Sequence, residues 1–281
     1  MNPTWRMWAA QIAAIVRLEL RKNFLGKRGA VLYLLGLMPI VIFTIHSLQM
    51  ISRGRACDLG QDTHIFAIYY QFFFLRLVVF FGCVAVFMNL FRGEILQKSL
   101  HYYFLAPVRR EVLLAGKFLS GLAATATVFV ASTLFQLLAL FWHLDGNALH
   151  QYLYQSGGLG HVLAYMSISA LACVGYGSVF LAMGMFLRNP IIPAAGVLLW
   201  EAIASILPAT MQKLTIIHYL QSLAPIAADP PKEAVPLQIL LFVSDRSPAI
   251  LSVAGLLGLA GLIIFISGRL VRRMEIDYAA E

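Results

Sequence analysis

The chain contains six apolar runs, approximately Ala30 to Leu48, Ile65 to Phe91, Val112 to Trp142, Leu159 to Leu187, Pro190 to Leu207 and Ile250 to Ser267. A helix needs about 20 mostly apolar residues to cross the hydrocarbon core of a bilayer, so each run reads as a transmembrane helix. A bilayer admits only helices or closed barrels, because backbone polar groups find no water there. The runs are unbroken and lack the alternation of barrel strands, which leaves helices. The expectation is an all-α integral membrane protein in which residues 1–281 form a single membrane domain.

Composition agrees. Of the residues, 60% are hydrophobic and only 12% charged, and the mean hydropathy is +0.79, whereas soluble domains carry about 25% charged residues. The formal charge of +8 comes from short basic clusters at the ends of apolar runs. That is where topology needs them, and it is not the pattern of a nucleic-acid surface. Cys57, Cys83 and Cys173 lie far apart with no CxxC spacing, which suggests neither a disulfide framework nor a metal site. Arg6, Arg17, Arg21, Lys22, Lys27 and Arg28 precede the first run without a signal-peptide core, so no cleaved leader is expected.

Basic residues are retained on the cytoplasmic side of membranes. With six spans and both termini inside, the inner segments hold the N-terminal cluster, Arg92, Lys98, Arg109, Arg110, Lys117, Arg188, Arg269, Arg272 and Arg273. The outer segments hold Arg53, Arg55, Lys213, Lys232 and Arg246, and Arg76 falls within a span. A five-span arrangement would place one terminal cluster outside. Pro39, inside the first run, is expected to kink it, whereas Pro190 at the start of the fifth is harmless because first-turn amides have no intrahelical partner.

Two polar segments carry further structure. Within residues 1–28, Met7 to Phe24 places Trp8, Ile12, Ile15 and Val16 at helical spacing away from Arg17 and Arg21, as in an amphipathic helix on the inner membrane surface, although Glu19 interrupts the apolar sector. The outer segment 208–248 contains two apolar stretches, Leu214 to Ala227 and Val235 to Val243, too short to span and punctuated by prolines. Their lengths suit re-entrant or interfacial helices.

Several chemistries are missing. The sequence has no GxxxxGK[ST] loop to cradle ATP phosphates and no HExxH. Gly175-Tyr176-Gly177-Ser178 places its serine one position too late for a GxSxG elbow and reads instead as close helix packing. His46, His64, His143, His150, His161 and His218 fall at or beyond the outer ends of spans. They suit a headgroup interface; the alternative is a membrane-bound haem or metal protein that uses these outer-face histidines.

The most informative segment joins the second and third spans. It runs from Arg92 and Glu94 through Leu105-Ala106-Pro107-Val108-Arg109-Arg110 to Leu113-Leu114-Ala115-Gly116-Lys117. Taken alone, residues 92–111 form a charged cytoplasmic hairpin broken at Pro107. The segment resembles the equivalent part of the permeases of ATP-binding cassette (ABC) transporters of the type-2 exporter family. There an acidic residue follows the second span, a leu-x-x-Pro-val-x-arg turn comes next, and leu-leu-x-gly-lys opens the third span. Tyr102-Tyr103-Phe104 departs from the smaller or aliphatic residues expected there, so the identity of the ATPase partner is not legible. The resemblance implies two associated permease subunits, identical or different, above two separate ATP-binding subunits. Those partners would bind ATP and Mg, leaving this chain without a cofactor or catalytic residue of its own. It implies that Glu94, Pro107, Arg109, Arg110 and Lys117 couple the spans to the ATPase, in a bacterial inner membrane. The transported substrate is not legible.

Arg76 and Glu201 are the only ionisable residues well inside the expected spans. A charge at the bilayer centre is costly, so such groups pair or face water inside a bundle. Counted from the outer boundaries, their depths differ by about 7–8 Å, within reach of an arginine side chain and helix tilt. In the family that the chain resembles, the second and fifth spans flank the central route, which implies a gate or substrate contact; the alternatives are a static clamp between helices or two unrelated groups that each reach towards a headgroup.

Overall fold

The computed structural model describes residues 3–53, 58–96, 108–187, 191–203, 208–228 and 246–272. These residues contain helices and no strands. Pro107, most of the 92–111 hairpin, the Arg188-Asn189-Pro190 turn and the stretch Val235 to Val243 lie outside them.

Helix α1 (Pro3–Leu25) is followed by α2 (Lys27–Arg53), which remains helical on both sides of Pro39. The second long element begins with α3 (Leu59–Tyr69) and ends with α5 (Asn89–Leu96). Between them lie π-helical Tyr70–Val79, α4 (Phe80–Cys83) and π-helical Val84–Met88. Then come α6 (Arg110–Phe141), α7 (Gly146–Gln155), α8 (Gly158–Phe186) and α9 (Ile191–Ile203). Short α10 (Ala209–Gln212) and α11 (Ile216–Leu223) precede α12 (Ala249–Val271). Gly157, at φ 77°, supplies the left-handed residue that turns α7 into α8.

Among the described residues, five helices are long and apolar enough to cross a membrane: Arg28–Arg53, Leu59–Gly93, Arg110–Phe141, Gly158–Met185 and Ala249–Val271. The fifth apolar run of the sequence appears as α9, whose 13 residues extend only about 20 Å against a hydrocarbon core of about 30 Å. Residues 204–207, the end of that run, lie outside the described residues.

Side-chain contacts fix which helix ends lie together. At one end, Arg28 donates to the Asn89 carbonyl (2.5 Å), Lys117 to that of Leu90 (2.9 Å), and Arg110 to those of Val271 (3.3 Å) and Arg272 (3.1 Å). This basic end therefore collects the start of α2, the end of the second long element, the start of α6 and the end of α12. At the other, Asp62 lies beside His46 and His143, which gathers the end of α2, the start of α3 and the end of α6.

The centre is aromatic and tightly packed. Phe66, Tyr70, Phe74, Phe87, Phe129, Tyr165, Tyr176 and Phe180 are all buried. A Cβ added at Gly177 would lie 2.6 Å from Phe87 and one at Gly175 2.9 Å from Ile216, so both glycines permit close approach, as the sequence suggested. The π-helical i→i+5 register of Tyr70–Val79 keeps Tyr70, Phe74, Leu75 and Val79 turned inward. The Tyr70 hydroxyl donates to the Tyr165 carbonyl (2.7 Å) and meets Ser169 Oγ (2.7 Å), which in turn meets Thr133 Oγ1 (2.7 Å). That chain of polar groups joins three long helices without leaving these hydroxyls unsatisfied in an apolar interior.

Candidate intramembrane site and basic-end clamp

Arg76 sits within the π-helical Tyr70–Val79 segment, about midway along the Leu59–Gly93 span. Glu201 lies near the end of α9. Both are buried, and Arg76 Nη1 donates to the Glu201 main-chain carbonyl at 3.2 Å. The Glu201 carboxylate is taken by other groups. Its Oε1 accepts from the Ile216 amide (2.9 Å), and its Oε2 accepts from the Ile217 amide (2.9 Å) and the Tyr176 hydroxyl (3.3 Å). These amides are the first two of α11. A helix N-terminus presents unpaired N–H groups and a partial positive charge, so a carboxylate from another helix satisfies both.

The two side chains and Tyr176 line a cavity of about 180 Å³. Its other walls include Phe72, Leu77, Phe80 and Leu198. The surface of the cavity is nearly all apolar, with the polar ends of Arg76, Glu201 and Tyr176 engaged with one another and with α11 at its edge, which suits a mainly apolar ligand. The structure brings together the two residues that the sequence singled out, through a contact the sequence did not indicate. Tyr176 and the start of α11 were not foreseen. α11 is embedded, with Ile216, Ile217, His218, Leu220 and Gln221 buried.

A second buried charge cluster lies at the basic end. Lys117, fully buried, donates to Glu19 Oε1 (3.3 Å) and the Leu90 carbonyl (2.9 Å), with its ammonium 5.3 Å from the centre of the Phe91 ring. Glu19 is itself 1% exposed and also accepts from Lys22 (3.2 Å). The residue that interrupts the apolar sector of α1 is therefore its anchor to α6. Lys117 is thus buried between α1 and the end of the second long element. Arg109 lies over the Trp8 ring at 4.7 Å, and Glu111 pairs with Arg272. Glu94 falls in α5, with its side chain outside the described residues, as is Pro107.

The histidines do not form one cluster. His46 and His143 converge on Asp62, while His161 meets the Tyr152 hydroxyl (3.0 Å), His150 packs on Tyr154 and His218 meets Ser247 (3.3 Å). Asp62 carried no signal in the sequence beyond its position at the start of an apolar run. Comparison with protein-family models and with curated proteins finds no match to this chain.

Proposed function

We propose that this chain is the membrane-spanning permease subunit of an ABC exporter of the type-2 family. In this reading two permease subunits stand above two separate ATP-binding subunits, and closure of the ATP-bound pair drives alternating access in the spans. The observation that carries the reading is the sequence Leu105-Ala106-Pro107-Val108-Arg109-Arg110 followed by Leu113-Leu114-Ala115-Gly116-Lys117. The placement of its described half supports it. Arg109 touches α1 through Trp8, and Arg110 holds the last carbonyls of α12, so a push on the hairpin reaches both helices and α6 together.

Six crossings with both termini inside fit the helix ends. A Cβ at Gly184 would lie 2.6 Å from the Met88 carbonyl, which sets the end of α8 at the basic end, where α12 also ends. In this reading the chain crosses once more between them, through α9 and the residues after it. The embedded α11 takes the role of a re-entrant helix and α1 that of a cytoplasmic interfacial helix clamped to α6. The basic end then faces the cytoplasm of a bacterial cell, in keeping with its arginines and lysines. The cavity at Arg76 and Glu201 serves as a station on the route of an amphiphilic substrate.

A photo-cross-linking residue at Ser99, within the hairpin, tests the assignment. In native membranes it is expected to capture a protein that carries a GxxxxGK[ST] loop. Capture of no nucleotide-binding protein would refute it.

A further inference from the structure

At the end of the bundle remote from Lys117, three helices bring one potential metal ligand each to a single point. His46 comes from α2, Asp62 from α3, and His143 from just beyond α6, and their donor atoms all lie within 4.8 Å of one another. Asp62 Oδ2 is 3.0 Å from His143 Nε2, and Asp62 Oδ1 is 3.5 Å from His46 Nε2. The Asp62 and His143 side chains are 7% and 1% exposed and that of His46 is 24% exposed, and His46 Nε2 is itself buried, so the donor atoms are enclosed.

The hydrogen bonds around His143 fix its tautomer. Ser47 Oγ lies 2.6 Å from the Ala139 carbonyl, which can only accept, so the single hydroxyl proton is spent there. Ser47 Oγ is also 3.1 Å from His143 Nδ1, and must accept from it. The proton of a neutral ring is therefore on Nδ1, and Nε2 turns a lone pair towards a carboxylate oxygen. Two lone pairs at that distance repel unless a cation lies between them. A proton would serve for His143 alone. His46 requires more, because its buried Nε2 has no hydrogen-bond partner among the described residues although it faces the other oxygen of the same carboxylate.

We infer that His46 Nε2, Asp62 and His143 Nε2 form a binding site for a divalent transition-metal ion of the zinc class. Tetrahedral zinc with bonds of about 2.0–2.2 Å places neighbouring ligand atoms about 3.3–3.6 Å apart, against 3.0 and 3.5 Å for the two histidine–aspartate pairs and at most 4.8 Å across the set. Two imidazoles and a carboxylate leave a fourth position for water or another donor. Ser47 orients the ring through Nδ1, as the outer partners of metal-binding histidines do. The ion would lock the ends of α2, α3 and α6 together.

The test uses the full-length protein in detergent, without a polyhistidine tag, stripped with EDTA, exposed to Zn²⁺ and desalted. One tightly held zinc per chain is expected, and Co²⁺ in its place should give the visible absorption of a tetrahedral site. His46→Ala, Asp62→Asn and His143→Ala should each lose the ion, Ser47→Ala should weaken affinity about 10- to 100-fold, and His150→Ala should leave it unchanged. The Co²⁺ spectrum of the unmutated protein decides the matter even if a variant fails to fold. No zinc retained by the parent protein, or retention that survives Asp62→Asn and is lost in His150→Ala, would overturn the inference.

Discussion

The Glu201 carboxylate caps the helix that begins at Ile216, with each oxygen accepting one of its first two backbone amides at 2.9 Å. This sets what substitution does. Glu201→Ala leaves those amides without an acceptor inside the bundle and removes the negative charge beside Arg76, and breaking a buried charge arrangement costs about 3–5 kcal/mol. Glu201→Gln keeps one acceptor oxygen and should lose less. Exchanging the charges, Arg76→Glu with Glu201→Arg, should be no better than the worse single variant, because an arginine at 201 would meet the positive end of α11. Thermal unfolding in detergent reads all three; substantial recovery in the exchanged protein would show that the charge pair outweighs the cap.

The Glu19–Lys117 pair should behave differently. Glu19→Leu takes this carboxylate from the buried Lys117 ammonium and is expected to destabilise by about 3–5 kcal/mol, and Lys117→Met, which leaves Glu19 its contact with Lys22, should destabilise by less. The double variant Glu19→Leu/Lys117→Met places apolar groups of similar size on both sides and should recover most of the loss, since a buried ion pair replaced by packed apolar groups is often neutral. Unfolding midpoints of the three variants check this, and additive losses would show that the two residues act separately.

Orientation is open to a direct test. In a protein with Cys57, Cys83 and Cys173 replaced, single cysteines near Arg21, Ser99 or Arg272 should react only from the cytoplasm. Cysteines near Gly54, Asn147 or Lys232 should react only from outside. Labelling of a Ser99 position by an impermeant reagent from outside would overturn the arrangement.

The hairpin should transmit force. Replacing Glu94 or Arg109 is expected to uncouple transport from ATP hydrolysis while the protein still inserts and folds; Arg109 is exposed, and exposed charges contribute little stability. For Arg109 the lost contact is with Trp8, at 4.7 Å, so a modest loosening of α1 should accompany uncoupling. Normal coupling in both variants would remove the hairpin from the mechanism.

Apolar run length made the long helices legible, because crossing a bilayer is a one-dimensional requirement. Arg76 and Glu201 were legible as neighbours, because isolated charges in apolar runs must find company. What they touch was not, since the carboxylate's partners are amides at Ile216 and Ile217, and backbone groups leave no mark in a sequence. Glu19 read as a flaw in the sector of α1 because the wheel shows the face but not the Lys117 that meets it. The π-helical segments change the inward-facing set in a way that a fixed 3.6-residue period does not anticipate. His46, Asp62 and His143 lie on three elements, and only folding brings them together.

The central claim is that this chain works as the membrane half of an ATP-driven machine. The most direct measurement is ATP hydrolysis by the complex purified through a tag on this chain under mild detergent. The account predicts a co-purified ATP-binding subunit in equal number to the permease subunits, with vanadate-sensitive hydrolysis that Arg109→Ala uncouples from transport. Purification of the chain from native membranes without any nucleotide-binding partner, and without hydrolysis above background, would contradict it.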